Sequence, residues 1–246
     1  MKLPTIETPV YEVKLFSREE PVKFRPFLVK EQKLLLLGLE ERDPKEATRI
    51  TKQIIKNCLL DDTIDVESLP AVAIELLFLN FRARSMGETI DVYFKCKNNI
   101  KEEDESEKEC GMVIDFNVNL LEVPVANKDY NPKIMFSDTV GIKMKLPTFD
   151  IMNKIASSDK TVENSEFNSV ALCIDYIFDK ENVYYAKDAT TEELVNFILQ
   201  LSAEKYNLIT KYFKNIPTVR QELHKDCPKC GFKHSFVLEG LRDFFS

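Results

Sequence analysis

Two pairs of cysteines, far apart in the chain, constrain the fold more than any other feature of the sequence. Cys227 and Cys230 are separated by two residues in "DCPKCGFKHSF", and Cys96 and Cys110 stand at the ends of two segments of β-strand composition. A glycine follows both Cys110 and Cys230, which uses two of the six glycines of the chain. Glycine tolerates the positive φ that turns backbone N–H groups toward a thiolate sulfur. The repeated pattern predicts two hairpins that each offer two thiolates to one metal ion.

Four thiolates on two hairpins are typical of a tetrahedral Cys₄ zinc ribbon. The wide spacing from Cys96 to Cys110 is compatible with this site, because the cost of closing a loop rises only slowly with its length. The metal would clamp the C-terminal hairpin onto the middle of the chain. Four protein ligands would leave no open position for water, so the site would not be catalytic. We therefore expect a structural Zn²⁺ held by Cys96, Cys110, Cys227 and Cys230.

The residues alone leave alternatives open at this site. A thioredoxin-type redox pair expects C-x-x-C between a strand and a helix, whereas this motif lies between two apparent strands. His224 or His234 would replace one cysteine in a Cys₃His site. A [4Fe–4S] cluster also uses four cysteines, although nothing in the sequence suggests electron transfer. Cys58 and Cys173 fall on apolar faces of predicted helices, and we interpret them as small core residues.

Hydrophobic periodicity predicts a mixed α+β fold in which short strands and helices alternate along the chain. Asp43 is a plausible N-cap with Pro44 at the first helical position, and Thr190 with Glu193 resembles a capping box. The predicted helices cover residues 30–41, 43–60, 68–85, 149–157, 165–179 and 190–216, with a short one after residue 239. The predicted strands lie within residues 9–28, 89–96, 110–120, 132–136, 141–147 and 218–239.

This order of elements divides the chain into three predicted units. Residues 1–88 form N-terminal strands and helices, residues 89–120 with 218–246 form the zinc-ribbon-like module, and residues 121–217 form a mainly helical insertion. Six acidic side chains lie between residues 102 and 109. Because this segment has almost nothing to bury, we interpret it as a solvated loop at the tip of a hairpin, with a docking arm for a basic partner as the alternative.

Charge and motif content exclude several functional classes. The net charge of −7 opposes broad binding to nucleic acid or anionic lipid, which requires a basic surface. No apolar run approaches the ~20 residues that a membrane-spanning helix needs, and the N-terminus shows no secretion signal. We therefore expect a reducing, cytoplasmic environment. Nucleotide-binding glycine loops, the G-x-S-x-G elbow and H-E-x-x-H are missing from the sequence, so we expect no enzyme and no catalytic residues.

Several segments resemble a known family of phage proteins. They are the opening "LPTIETPVYEVKLFSREEPVKFRPFLVKEQKLLLL" with "ITKQIIKNC", the middle pair "YFKC…ECGMVIDFNVNL" and the ending "CPKCGFKHSFVLEGLRDFF". Together they are similar to baseplate hub assembly proteins of T-even-type myoviruses, over roughly the first half of the chain and its last hairpin and helix. The resemblance implies a late viral protein that helps to assemble the central hub of the tail baseplate. Its partners would be hub proteins, and it would act in the host cytoplasm or remain in the virion tail.

A zinc-ribbon nucleic-acid-binding protein is the alternative function, since zinc ribbons often serve transcription or translation. The net charge of −7 and the lack of interleaved basic and aromatic residues in 226–246 count against it. The C-terminal sequence offers a possible partner surface instead. Leu238, Leu241, Phe244 and Phe245 have helical spacing, so they either dock on the chain's own core or anchor a hub protein.

Overall fold

The computed structural model describes residues 6–16, 18–40, 43–101, 107–152 and 165–245, and it confirms the α+β class. The helices are α1 Val29–Glu40, α2 Pro44–Cys58, α3 Ala71–Met86, α4 Ser165–Leu172, α5 Thr191–Leu199, α6 Ala203–Lys214 and α7 Gly240–Phe245. The strands are β1 Tyr11–Val13, β2 Val22–Phe24, β3 Thr89–Lys95, β4 Asn99–Lys101, β5 Glu107–Glu109, β6 Val113–Asn119, β7 Val125–Ala126, β8 Lys133–Met135, β9 Gly141–Met144, β10 Ile174–Phe178, β11 Val183–Tyr185, β12 Thr218–Asp226 and β13 Lys233–Glu239. Among the described residues, no helix is long and apolar enough to cross a membrane.

Helix α3 is the central element of the first half of the chain. Its buried side chains lie around the whole circumference, which is the pattern of a helix covered on all sides. One side packs with β1, β2 and α2 in a core that includes Phe24 and Phe81, whose ring centroids are 4.6 Å apart. The other side, with Val72 and Leu79, packs against β12 and β13. Helix α3 thus joins the N-terminal hairpin to the C-terminal one.

A buried ion pair fastens the start of α1 to β2. Arg25 makes two hydrogen bonds to the carboxylate of Glu31, at 3.1 and 3.3 Å. The Glu31 side chain is fully buried, and it also accepts the backbone N–H of Leu28 at 2.9 Å. Arg25 donates further to the carbonyl oxygen of Asn57 at the end of α2. The pair therefore ties together three elements of the N-terminal core.

The predicted helical caps are confirmed by the backbone geometry. The Asp43 side chain accepts the N–H of Lys45, and Pro44 opens α2. Thr190 and Glu193 form a complete capping box at the start of α5. These side chains satisfy N–H groups that have no partner within the first helical turn. Each cap fixes where its helix begins.

A four-stranded antiparallel sheet with the order β11-β10-β9-β8 lies in the second half of the chain. Helices α4, α5 and α6 pack on one face of it, around Ile142, Met144 and Ile174. The prediction of a single helix over residues 165–179 is wrong, because the chain leaves α4 at Leu172 and enters β10 at Ile174. Strand β10 pairs with both β9 and β11, and these pairings override a local helical pattern. The predicted helix 149–157 is helical through residue 152, and its remainder lies outside the described residues.

Two antiparallel hairpins carry the cysteine pairs. In the first, β3 pairs with β6 from Thr89↔Asn119 to Lys95↔Val113. In the second, β12 pairs with β13 over seven positions, while β7 extends the sheet beside β12. Strands β4 and β5 form a small hairpin between Cys96 and Cys110, which agrees with the interpretation of the acidic segment as a solvated hairpin tip. Residues 102–106 of that segment lie outside the described residues.

The C-terminal helix α7 packs on the protein's own core. Phe244 is buried among side chains of α3, β12 and β13, and Leu241 contacts the same cluster. Leu238 belongs to β13 rather than to the helix, because α7 begins at Gly240 with φ of 71°. Phe244 therefore fits the core-docking interpretation, and its ring is not free to anchor a partner.

Candidate metal centre

The structure brings the four predicted ligands together. Their sulfur atoms all lie within 4.8 Å of one another, although 117 residues separate Cys110 from Cys227. Cys96 follows the last residue of β3, and Cys110 lies just before β6. Cys227 and Cys230 occupy the turn between β12 and β13. Each hairpin therefore contributes two thiols to one cluster.

Two sulfur–sulfur distances in the cluster match the edge of the tetrahedron expected around a zinc ion. Cys96 Sγ lies 3.7 Å from Cys230 Sγ, and Cys110 Sγ lies 3.7 Å from Cys227 Sγ. With Zn–S bonds of about 2.3 Å, the edges of a regular tetrahedron are about 3.8 Å long. A disulfide would require sulfur atoms about 2.05 Å apart, so these cysteines are not paired covalently. The four side chains fit a structural zinc site.

Tight turns after three of the cysteines direct backbone N–H groups toward sulfur. The N–H groups of Asn98, Met112 and Phe232 donate to the sulfur atoms two residues before them, at Cys96, Cys110 and Cys230. The glycines predicted to permit such turns do have positive φ, 66° at Gly111 and 70° at Gly231. An added Cβ would be strained at both positions, because this backbone conformation is unfavourable for other residues. The local sequence therefore preorganises the cluster.

The electrostatics of the cluster favour a bound cation. Burial raises the pKa of the Cys96 thiol to about 12. The backbone N–H of Phe232 lowers the pKa of Cys230 to about 7. Four thiolates at these distances would repel one another strongly in a buried site. A divalent metal removes this conflict, because it binds the deprotonated form of every ligand.

His234 lies beside the cluster rather than among its four sulfur atoms. Its Nε2 is 3.1 Å from Cys96 Sγ, which is hydrogen-bonding distance for sulfur. Its ring stacks on Phe236 at 5.1 Å with an interplanar angle of 11°. His224 is exposed and faces Glu222 instead, so it is remote from the candidate ligands. The geometry thus assigns His234 a hydrogen bond to Cys96, one of the four candidate ligands.

Replacing His234 with phenylalanine is expected to leave the zinc content of the purified protein unchanged, since four cysteines remain. The zinc should be lost to a chelator faster, because Cys96 loses a donor that disperses its negative charge. Elemental analysis gives the content, and a colorimetric chelator follows the release. His224→Phe is the matched control, because it makes the same replacement at an exposed position. Loss of zinc from the His234 variant alone would instead identify His234 as a ligand.

Aromatic rings line the space behind the cluster. Phe94 and Phe236 stack at 4.1 Å with an angle of 9°, and Phe116 meets both rings edge-on. Lys225 bridges the two hairpins through Asp115, at 3.1 Å between Nζ and the carboxylate. This layer excludes water from one side of the sulfur atoms and fixes the two hairpins relative to each other.

The two remaining cysteines take no part in the cluster. Cys58 and Cys173 are fully buried in separate apolar cores, which confirms their interpretation as core residues. Burial raises the pKa of both thiols to about 12, so they remain protonated and unreactive. Sequence reasoning missed the supporting role of His234 and the side chain of Asn98, which lies 3.6 Å from Cys230 Sγ. The only signal in the sequence for these two residues was their position close to a cysteine: Asn98 follows Cys96 by two residues, and His234 follows Cys230 by four.

Comparison with known proteins identifies the family. The sequence model of the family described as T4 bacteriophage base plate protein matches residues 8–246. The chain therefore belongs to this family of phage baseplate proteins, which confirms the resemblance found in the sequence.

One relative extends the likeness over almost the whole chain. The sequence is 25% identical over 238 residues to the baseplate hub assembly protein gp26 of Enterobacteria phage T4. The alignment covers 96% of this chain and 99% of that relative. No solved structure matches the chain. Neither comparison supports the alternative of a nucleic-acid-binding protein.

Proposed function

We propose that this protein acts in assembly of the central hub of a phage tail baseplate, as a non-catalytic protein that binds other baseplate proteins. The observation that carries the proposal is the match to the baseplate family over residues 8–246. The similarity to a hub assembly protein along nearly all of both chains points to the hub in particular. The protein would work in the host cytoplasm while tails are built.

A structural Zn²⁺ on Cys96, Cys110, Cys227 and Cys230 belongs to the same proposal. The sulfur distances, the positive φ of two glycines and the N–H groups directed at sulfur support it. When bound, the ion supplies four metal–thiolate bonds and no open coordination position. Its role is to clamp the β12–β13 hairpin to the β3–β6 hairpin, as in a zinc ribbon.

This clamp gives the proposed three-part division a physical basis. The β3–β6 and β12–β13 hairpins together form the zinc-ribbon-like module, and the chain between them forms a closed insertion. That insertion carries the β11-β10-β9-β8 sheet with helices α4 to α6. The metal would then hold the insertion in a fixed orientation relative to the module, ready for a partner to bind. The module would act as a scaffold, and the exposed elements around it would act as binding surfaces.

Inactivating the gene in its phage is expected to give infected cells that accumulate tail intermediates without a complete hub. Electron microscopy of lysates, with mass spectrometry of the purified intermediates, measures this outcome. The gene supplied in trans should restore complete baseplates. Normal baseplates with a full set of hub proteins in the absence of this protein would contradict the proposal.

Mass spectrometry of purified wild-type particles separates the two forms of the proposed role. An assembly factor is expected to be present in intermediates and missing from finished particles. A hub component is expected in both, at a fixed ratio to the other hub proteins.

A further inference from the structure

The four-stranded sheet has one covered face and one open face. Helices α4 to α6 pack on the covered face, around Ile134, Ile142 and Ile177. The strand registers alternate the side chains, so the residues next to these isoleucines project from the opposite face. The large side chains of this open face belong to none of the apolar clusters in the described part of the chain, and they are Met135, Tyr176, Phe178, Val183 and Tyr185. Met135, Val183 and Tyr185 are 42%, 50% and 50% exposed, so the open face presents an apolar and aromatic surface to its surroundings.

Lysine side chains lie over the aromatic rings of the open face. The distances from Nζ to the ring centroid are 4.6 Å for Lys133 on Phe178, 5.3 Å for Lys143 on Tyr176 and 5.4 Å for Lys187 on Tyr185. Gly141 leaves the space that the Phe178 ring fills, since an added Cβ would lie 2.6 Å from that ring. An ammonium group in a cation–π contact keeps N–H donors for other partners. These contacts therefore hold three cations in place on an aromatic surface.

The open face is cationic, although the whole chain carries a net charge of −7. Lys145 follows Lys143 by two residues and adds a fourth lysine. With Lys187 and Asp175, it lines a cleft of about 200 Å³ beside Tyr185. Asp175 is paired with Lys143 at 3.1 Å, and the other three lysines form no salt bridge with a described residue. Four ammonium groups against one carboxylate attract a partner of negative charge.

We propose that the open face binds an acidic segment of another baseplate protein. Carboxylates of the segment pair with the lysines, and an apolar side chain enters the cleft beside Tyr185, where Leu172 and Leu194 also line the wall. Tyrosine, phenylalanine and methionine are enriched at the centres of protein interfaces, and polar groups surround them at the rim. The proposal rests on the hub role proposed above, and it adds the binding surface and the chemistry of the partner.

The position of the lysines favours an acidic protein over a nucleic acid as the occupant. Proteins that bind single strands offer bare ring faces on which the bases stack. On the open face an ammonium group already lies over each of three rings. A long polyanion is also repelled by the net charge of −7, whereas a short segment interacts mainly with the lysines nearest to it.

Overlapping synthetic peptides that cover the baseplate proteins of the same phage are the probe for this surface. The full-length protein is expected to bind peptides that are rich in Asp and Glu and carry a large apolar residue. Fluorescence anisotropy measures the Kd, which should rise with salt because the charges on the open face are exposed. Binding of none of the peptides, or only of peptides without net negative charge, would overturn the proposal.

Charge reversal on the open face is expected to weaken this binding. Lys145→Glu and Lys187→Glu should each raise the Kd by about tenfold, because each opposes like charges. Lys211→Glu is the matched control, since it reverses an exposed lysine of α6, a helix on the covered face. Replacing an acidic residue of the peptide with lysine should restore binding to the Lys187 variant. A Kd that is unchanged in both open-face variants contradicts the proposal.

Two neighbouring tyrosines separate the two faces of the sheet. Tyr185→Ala removes a ring from the open face and should raise the Kd by about tenfold. Tyr184 pairs with Ile177 and so faces the covered side, and Tyr184→Ala should leave the Kd unchanged. Circular dichroism and thermal unfolding of each variant establish that its chain remains folded. Equal losses of affinity in the two folded tyrosine variants would show that the open face is not the binding surface.

A labelled single-stranded oligonucleotide is the second probe. If it binds the wild-type protein and not the Tyr185 and Lys187 variants, nucleic acid is the occupant and the proposal is wrong. Complementation separates this surface from the hub role. Phage that lacks the gene should be rescued by the wild-type and Lys211→Glu genes and not by the Lys187→Glu gene. Full rescue by Lys187→Glu would overturn the binding surface and leave the hub role standing, whereas normal baseplates without any gene would contradict the hub role itself.

Discussion

Replacing Cys227 with serine is expected to abolish stoichiometric zinc binding and to loosen the whole β12–β13 hairpin. Cys227 is 2% exposed and contributes a sulfur atom 3.7 Å from that of Cys110. Serine is a poor zinc ligand, and the three remaining thiols cannot complete the tetrahedron. Because a structural metal site exists only in the folded chain, the free energy of zinc binding stabilises the fold. In small zinc peptides it amounts to about 10 kcal/mol or more. Helix α7 should loosen with the hairpin, because it follows β13 directly.

Elemental analysis of protein prepared without chelators measures the first effect, with one zinc ion expected per wild-type chain and none per variant chain. Hydrogen exchange over residues 218–239 measures the second effect, since loosening exposes the amides of the ladder. Cys173→Ala is the matched control, because it removes a fully buried thiol from a different core. That variant should lose some stability and keep its zinc.

Wild-type protein that contains no metal under these conditions would refute the structural zinc. Iron in place of zinc, with the absorption of an iron–sulfur cluster, would instead support the [4Fe–4S] alternative. Retention of zinc by the Cys227 variant would show that another residue completes the site, and His234 would be the first to test. Each outcome identifies a different ligand set or metal.

The sequence alone was sufficient to predict that the four cysteines cluster, because residue type and spacing over a few neighbouring positions carry the signal. The C-x-x-C spacing and the glycines after Cys110 and Cys230 encode the turns that the structure contains. Helices with strong caps, such as α2 and α5, were also predictable for a local reason. Their first N–H groups need acceptors, and Asp43 and Thr190 supply them.

The parts that sequence missed depend on contacts between distant residues. His234 is 138 residues away from Cys96 in the chain, and only the packing of two hairpins brings their side chains together. Strand β10 was mistaken for a continuation of α4 because its apolar residues fit both periodicities over a short stretch. Its neighbours β9 and β11, rather than its own sequence, decide its conformation. The three-part division of the chain stays a prediction.

Replacing Arg25 with methionine is expected to destabilise the protein by about 3–5 kcal/mol, because it leaves the buried Glu31 carboxylate without its partner. Glu31 is fully buried, and the guanidinium that neutralises it is 12% exposed. Burial by itself raises the pKa of Glu31, but the hydrogen bonds from Arg25 and Leu28, with the charges of Arg25 and Lys30, lower it below its usual value. A carboxyl with a lowered pKa stabilises the fold above its unfolded-state pKa, and this contribution is lost as the pH falls.

Denaturant unfolding at neutral and acidic pH measures this effect. The difference in unfolding free energy between wild type and Arg25→Met should become smaller in acid. There Glu31 is protonated, so no buried negative charge is left without a partner. The double variant Arg25→Met with Glu31→Gln should recover much of the loss at neutral pH, because a neutral amide at position 31 can still accept the N–H of Leu28. If Arg25→Met lowers the free energy of unfolding by less than about 1 kcal/mol, the Arg25–Glu31 pair contributes no more to stability than an exposed surface ion pair. An equal loss in the single and double variants would show instead that Arg25 acts through its bond to the Asn57 carbonyl, at 2.7 Å, and through the packing of its stem.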